Sequence, residues 1–162
     1  MTRKPIIAPH SDYWLLKSEP EVFSWDMLVA KGAKGEAWTG VRNYQARNNM
    51  RAMRVGDRGF YYHSGDSKAV VGICEVFTPI HRDPDDDTGT WECVDVRALA
   101  PLPRPVSLDT IKAVPALADM VLVKNSRLSV QPVTAAEWAE ICRMGGLDAG
   151  SAGKGRARSK RA

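Results

Sequence analysis

The sequence predicts an α+β fold, or a small β-barrel flanked by helices, in a single domain. Short strand patterns and short capped helices are mixed along the 162 residues, without the repeating βαβ units that a doubly wound sheet would need. Strands are predicted where apolar and polar residues alternate, and helices where a capping residue precedes an apolar period. At 44% apolar residues, a chain of this length can bury one real core.

The first predicted elements are a strand and a short helix. Residues 13–17 alternate between two faces and run into a Ser-Glu-Pro turn, which predicts a strand. Ser24 can cap a helix that runs from Trp25 to about Lys31, and Gly32 is the expected end of that helix.

A second helix and a hairpin are predicted next. Asn43 can cap a helix that runs to about Met53, where residues 55–57 end it. Residues 58–63 and 69–77 are predicted as strands on either side of a Ser-Gly-Asp turn. These two strands are therefore expected to pair with each other.

The second half of the chain predicts two strands and three helical segments. Residues 91–99 alternate as a strand, and the three prolines at 101, 103 and 105 are expected to end it, because proline has no N–H to donate. Thr134 and Glu137 form a capping box for the last helix. The other predicted elements are a helix from Ser107 to about Val114, a helical turn over 116–122, a closing strand over 127–133 and the last helix to about Met144.

Composition divides the chain into a flexible lead over 1–11, one domain over 12–147 and a disordered basic tail over 148–162. The net charge of +4 lies in the tail, which is rich in Gly, Ser, Ala, Lys and Arg. Residues 1–147 are neutral as a whole, so the high isoelectric point of the chain says little about a binding site within the domain.

Cysteine usage and hydropathy bear on the compartment. The three cysteines are far apart and form no CxxC pair, which favours a reducing interior over a disulfide framework. The sequence shows neither the apolar run of a signal peptide nor an apolar stretch of about 20 residues that could span a membrane. A cytoplasmic protein without membrane association is therefore expected. The cysteines are Cys74, Cys93 and Cys142.

Neither a metal site nor a catalytic constellation is predicted. His10, His63 and His81 are scattered, and no His/Cys spacing matches a zinc site. The acidic segment 83–89 lacks the glycine and the terminal glutamate that a calcium loop needs at fixed positions. The cysteines fall on strand or helix core patterns, where each serves as a small buried hydrophobe. No cofactor, metal or catalytic residue is expected.

A stretch rich in arginine and aromatic residues, 38–63, gives the strongest indication of function. Guanidinium groups match the oxygens of phosphate, and flat rings can stack on any base. The combination favours a surface that contacts nucleic acid or a nucleotide. A surface helix with solvated arginines is the alternative, and the residues alone leave it open. The arginines are Arg42, Arg47, Arg51 and Arg54, with no acid between positions 36 and 57.

Within this stretch the segment Gly40–Asn48, GVRNYQARN, resembles the signature of the EVE domain family. The resemblance extends over roughly 12–146 and implies a PUA-like β-barrel of about five to six strands flanked by short helices. Two features depart from the family pattern: Thr39 stands where an acid is common, and the acidic loop 78–90 is short. The other matching segments are 13–20, 60–64, 72–76, 94–97 and 127–130.

The resemblance implies a binding module that holds one extruded base, notably a modified cytosine, in a pocket. Aromatic rings would sandwich the base, and Ser18, Asn43 and His63 would contact its polar edge. Phosphate contacts are expected from Arg42, Arg47 and Arg51. The residues expected to form the pocket are Trp14, Lys17, Ser18, Trp38, Gly40, Val41, Arg42, Asn43, His63 and Ser129.

The expected partner is DNA or RNA, bound by a monomer, and two other functional classes stay open. A hydrolase or nuclease would use Glu19 or Asp95, and a regulatory module for a small ligand would need no nucleic acid. Burying one added methyl contributes about 0.8 kcal/mol, whereas an unpaired buried polar group costs about 1–3 kcal/mol. The preference for cytosine is therefore expected to exceed the preference for its modification.

Overall fold

The computed structural model describes residues 12–147, so the predicted lead over 1–11 and the predicted tail over 148–162 lie outside the described residues. Within this range, two 3-10 turns at Gly32–Lys34 and Pro115–Leu117 join strands and short helices. The elements in chain order are β1 Tyr13–Ser18, α1 Trp25–Lys31, β2 Glu36–Ala37, α2 Tyr44–Ala52, β3 Arg58–His63, β4 Ala69–Val76, β5 His81–Arg82, β6 Glu92–Cys93, β7 Asp95–Ser107, α3 Leu108–Lys112, α4 Val121–Lys124, β8 Val130–Val133 and α5 Ala135–Met144.

Six of the strands form one mixed sheet in the order β2-β7-β4-β3-β1-β8. The pair β1–β3 is parallel, the other neighbours are antiparallel, and β5 and β6 form a separate two-stranded sheet. Short helices flank this six-stranded sheet, which confirms the predicted α+β class and its PUA-like character. The predicted hairpin of β3 and β4 is also present.

The sheet buries apolar residues on both faces, because neighbouring residues of a strand point to opposite sides. On one face Leu16 and Tyr61 belong to a core cluster that also contains Met50 of α2. On the other face Phe60 stacks on Trp138 of α5, with ring centroids 4.0 Å apart. The helices therefore cover both faces of the sheet, and the ends of the strands remain available for a site.

The predicted helix starts are confirmed by their hydrogen bonds. The side chains of Ser24, Asn43 and Thr134 accept bonds from the backbone N–H groups of the first turns of α1, α2 and α5. These bonds satisfy N–H groups that have no partner inside the helix. Local sequence alone was enough to place them.

The prediction that three prolines end the strand after Leu99 is wrong. Strand β7 continues to Ser107, and its pairing with β4 moves from Gly72–Pro101 to Val70–Val106. Four residues of β7 therefore stand opposite one residue of β4 in a bulge, and two of the prolines, Pro103 and Pro105, lie inside it. A bulge interrupts the ladder and so removes the need for a donor at these positions.

The predicted strand over 91–99 is also divided in the structure. Its first part, β6, pairs with β5, while the second part begins β7 in the main sheet. The short strand β2 was not predicted, because two residues are too few to show alternation. The described residues include no helix that is long and apolar enough to cross a membrane.

Candidate functional site

A cleft of about 390 Å³ lies where the end of β1 meets the segment that enters and follows β2. This size is within the range of about 300–1,000 Å³ that is common for ligand pockets. Most of its lining comes from two short segments, 17–23 and 36–42, with one residue from the loop before β8. The lining residues are Lys17, Ser18, Val22, Phe23, Glu36, Ala37, Trp38, Thr39, Gly40, Val41, Arg42 and Ser129.

Aromatic rings form the apolar wall of the cleft. Trp38 is only 8% exposed, and its ring meets Tyr61 edge to face with centroids 5.6 Å apart. Phe23 lies at 6.5 Å from Trp38 with an interplanar angle of 76°. Trp38 is therefore both a core residue and a wall of the cleft, and packing against Tyr61 fixes its orientation.

Polar side chains also line the cleft. The Ser18 hydroxyl donates to the Phe23 carbonyl at 2.7 Å, which keeps its remaining acceptor capacity available. Glu36 is partly exposed and forms an ion pair of 3.3 Å with Lys31. The Lys17 ammonium donates to the Ser126 carbonyl, and burial lowers the pKa of this lysine.

A buried carboxylate holds the rim of the cleft. Asp83 is 1% exposed and accepts bonds from the Gly40 N–H at 2.9 Å and from Arg42 Nη1 at 3.0 Å. Burial alone would raise the pKa of Asp83, but the bonds from Gly40, Arg42 and Asp85 outweigh it and lower that pKa. The acidic loop over 78–90 thus fixes the rim through Asp83, a contribution that the sequence analysis did not predict.

Three residues that the resemblance assigned to the pocket do not line this cleft. The indole of Trp14 is 2% exposed and donates to Asp57 at 2.9 Å. Asn43 caps α2 by accepting a bond from Ala46 N at 2.8 Å. His63 Nε2 accepts a bond from Trp25 N at 3.0 Å. Each of these side chains supports the elements around the cleft.

The structure places the other seven predicted pocket residues in the lining of the cleft. Those residues are Lys17, Ser18, Trp38, Gly40, Val41, Arg42 and Ser129. Sequence reasoning missed Phe23 and Glu36, among others. Glu36 stands two positions before Trp38, at the edge of the arginine-rich stretch. This position in the sequence could have indicated that Glu36 lies near the site. Phe23 had no such signal, because a turn folds it back toward β1.

The arginines of α2 lie beside the cleft and already have partners. Arg51 pairs with Glu92 at 2.5 Å. Arg47 donates to the Thr90 carbonyl at 2.9 Å and lies over the rings of Tyr44 and Trp91, at 5.0 and 5.7 Å from the centroids. Arg47 shares the Trp91 ring with Arg42, whose guanidinium lies 5.6 Å from the Trp91 centroid.

The two carboxylates considered for an enzyme belong to different elements of the fold. Glu19 lies in the turn after β1, where its carbonyl accepts bonds from Val22 N and Phe23 N. Asp95 begins β7, beside His81 and Cys93, and the ligand atoms of these three residues lie within 4.8 Å of one another. The spacing of these three residues along the sequence did not predict that they would form a cluster.

The bond between His63 and Trp25 predicts a pH dependence of stability. Burial lowers the pKa of His63 and outweighs the nearby Asp26 and Glu21, so the folded protein holds this ring neutral. In the unfolded chain the ring titrates near its ordinary pKa of about 6.5. The stability that His63 contributes is therefore present above this pH and is lost as the pH falls below it.

Urea unfolding of the wild type and His63→Gln at neutral pH and at about pH 5.5 measures this effect. The stability advantage of the wild type over the variant should shrink at the lower pH. An advantage that stays constant with pH would contradict a neutral, accepting His63.

Comparison with known proteins identifies the family. The family model of the EVE domain matches residues 12–144. This chain belongs to the EVE family. Among its EVE relatives, rat thymocyte nuclear protein 1 is 35% identical over 160 residues, which cover 79% of this chain and 71% of the relative.

Solved structures of other EVE proteins share the fold. A protein of Agrobacterium tumefaciens is 59% identical with a TM-score of 0.81, and the match covers 83% of this chain and 93% of that chain. Human THYN1, solved in complex with DNA that contains 5-methylcytosine, is 30% identical with a TM-score of 0.76. That match covers 84% of this chain and 98% of the human chain.

Proposed function

We propose that this EVE domain binds nucleic acid and holds one extruded base, a cytosine or modified cytosine, in the cleft beside Trp38. The observation that carries the proposal is the cleft itself, whose lining combines aromatic rings with hydrogen-bonding side chains. A family member, human THYN1, has been solved with DNA that contains 5-methylcytosine. A base outside the stack needs a ring to replace lost stacking and polar groups to replace lost pairing.

Stacking on Trp38 supplies affinity for any base, worth about 1–3 kcal/mol. The choice among bases comes from the polar edge. The carboxylate of Glu36 can accept a bond from the exocyclic amine of cytosine, a group that thymine lacks. Ser18 offers a further hydroxyl oxygen to the same edge. A methyl on the base adds only about 0.8 kcal/mol through burial.

Phosphate contacts complete the proposed interface. Arg42 lines the cleft and is held by Asp83, with its side chain 39% exposed. Arg47 and Arg51 are oriented on the neighbouring surface by Thr90 and Glu92. A guanidinium group that keeps one protein partner still has donors for a phosphate oxygen, because arginine carries five N–H groups.

The module acts without catalysis, as a monomer and in the cytoplasm. The strands and helices around the cleft supply a wall and an edge for binding. The three cysteines are free and buried, as a reducing compartment favours. A nuclease is the alternative function, since Asp95 lies in a cluster with metal-ligating chemistry.

Fluorescence anisotropy with duplexes that differ at one central position tests the proposal. The central base is 5-methylcytosine, cytosine, thymine or an abasic site, and the salt concentration is fixed because phosphate contacts depend on it. The cytosine duplexes should bind more tightly than the thymine duplex. Equal affinity for all four duplexes would rule out base recognition.

The role of Glu36 is tested with Glu36→Ala, with Glu21→Ala as a nearby exposed control that does not line the cleft. Glu36→Ala should reduce the preference for cytosine over thymine by about 1–3 kcal/mol, and the control should retain it. An unchanged preference would remove Glu36 from base reading.

Incubation of the same labelled duplexes with Mg²⁺ tests the alternative, because a cleaved product would indicate a nuclease.

A further inference from the structure

Three side chains with metal-binding chemistry meet at the junction of the small sheet and β7. His81 and Cys93 are paired across β5 and β6, and Asp95 lies two residues farther at the start of β7. His81 Nε2 is 2.7 Å from Asp95 Oδ1 and 3.9 Å from Cys93 Sγ. Imidazole nitrogen, thiolate sulfur and carboxylate oxygen are the ligand types that zinc takes in proteins.

The orientation of the His81 ring fits a metal ligand. Nδ1 lies 2.9 Å from the Arg82 carbonyl, and because a carbonyl can only accept, Nδ1 carries the ring proton. The Nε2 position then faces the Asp95 carboxylate, so a second proton or a cation must lie between these two acceptors. Metal-ligating histidines commonly donate their other ring N–H to a backbone carbonyl in this way.

The cluster of His81, Cys93 and Asp95 lies among negatively charged side chains and is partly shielded from solvent. The carboxylates of Asp83, Asp85 and Asp95 act electrostatically on Cys93, which is fully buried. Asp83 is already committed to Gly40 and Arg42, so it contributes charge here rather than a ligand atom. His81 remains 39% exposed, which leaves a route from solvent to the cluster.

We propose that His81, Cys93 and Asp95 bind one divalent transition-metal ion of the zinc class. Nε2, Sγ and a carboxylate oxygen would be the protein ligands, and a water molecule would take the fourth position. Binding replaces the thiol proton of Cys93 and the proton between His81 and Asp95, and both protons pass to solvent. The thiolate and imidazole favour zinc or cobalt over magnesium or calcium.

A metal at this position would tie the small sheet to the main sheet. Asp95 is paired with Ala37 of β2, and Ala37 lines the cleft. The bound ion would therefore stabilise the wall of the cleft as well as the loop over 78–90. Metal binding by this cluster does not depend on which base or other ligand the cleft binds.

Titration of the untagged, metal-free full chain with Co²⁺ tests the proposal. We expect the near-ultraviolet charge-transfer band of a cobalt thiolate, visible bands of tetrahedral cobalt, a stoichiometry of one ion per chain and an increased Tm. Addition of Zn²⁺ should displace the cobalt and remove these bands. A folded wild-type protein that shows no thiolate band would overturn the proposal.

Single substitutions test which residues bind the metal. Cys93→Ser should abolish the thiolate band, whereas Cys142→Ser, at another buried free cysteine, should retain it. His81→Gln and Asp95→Asn change partly exposed side chains, so both variants should remain folded. Each should weaken Co²⁺ affinity by at least about tenfold, an effect found even when only the partner of a metal ligand is lost. A band that survives in Cys93→Ser, or unchanged affinity in His81→Gln and Asp95→Asn, would overturn the proposal.

Discussion

Trp38→Ala should lower both the stability of the domain and its affinity for nucleic acid. The indole is 8% exposed and packs on Tyr61, so its truncation should cost about 3–5 kcal/mol of unfolding free energy. The same ring forms the wall of the cleft, and loss of stacking should cost a further 1–3 kcal/mol of binding free energy, or about 5- to 150-fold in Kd, for every base. Urea unfolding and anisotropy measure the two effects separately.

Trp25 provides a matched control. It is also 8% exposed and its ring centroid is also 5.6 Å from that of Tyr61, but it does not line the cleft. Trp25→Phe and Trp38→Phe keep a ring and are therefore the milder pair for binding measurements. The two variants should lose similar stability, and only Trp38→Phe should change affinity. Equal affinities in both variants would place Trp38 in the core and outside the binding surface.

Gly35→Ala should be among the most destabilising single substitutions in the domain. Gly35 has φ +61° and ψ −156°, a backbone region that is essentially restricted to glycine. A Cβ there would also overlap the Val96 carbonyl oxygen and lie 2.5 Å from Phe77 Cε1. Strain of about 1–3 kcal/mol and overpacking of about 1–3 kcal/mol should add, and urea unfolding measures the sum.

Gly32→Ala separates these two causes. Gly32 has a similar backbone, with φ +60° and ψ −141°, but a Cβ there meets no atom within 4 Å. Its variant should lose the strain component alone and be clearly more stable than Gly35→Ala. Equal losses would show that backbone strain, and not the contact with Val96, decides both effects.

The sequence alone determined the features that depend on neighbouring residues. Caps at Ser24, Asn43 and Thr134 act within one helical turn, so a few residues were enough to locate α1, α2 and α5. Strands β1, β3 and β4 were located correctly, because each is a run of six or more residues next to a turn signal. Trp38, Gly40, Val41 and Arg42 all line the cleft, because they are near neighbours in the chain.

Tertiary structure decided the features that depend on pairing between distant residues. Whether proline ends a strand depends on what lies opposite it, and the bulge of β7 against β4 accommodates Pro103 and Pro105. The local pattern could not show this, since the partner strand lies some thirty residues earlier.

The hydrogen-bond partners of the candidate site residues depend on tertiary structure in the same way. Trp14, Asn43 and His63 carry groups that suit a base, yet Asp57, Ala46 and Trp25 take up those groups in the fold. Sequence fixes which atoms can donate or accept, because these are properties of the residue type. Only the three-dimensional neighbours decide whether those atoms are used within the protein or left for a ligand. For the same reason His81, Cys93 and Asp95 became a cluster only when β5, β6 and β7 came together.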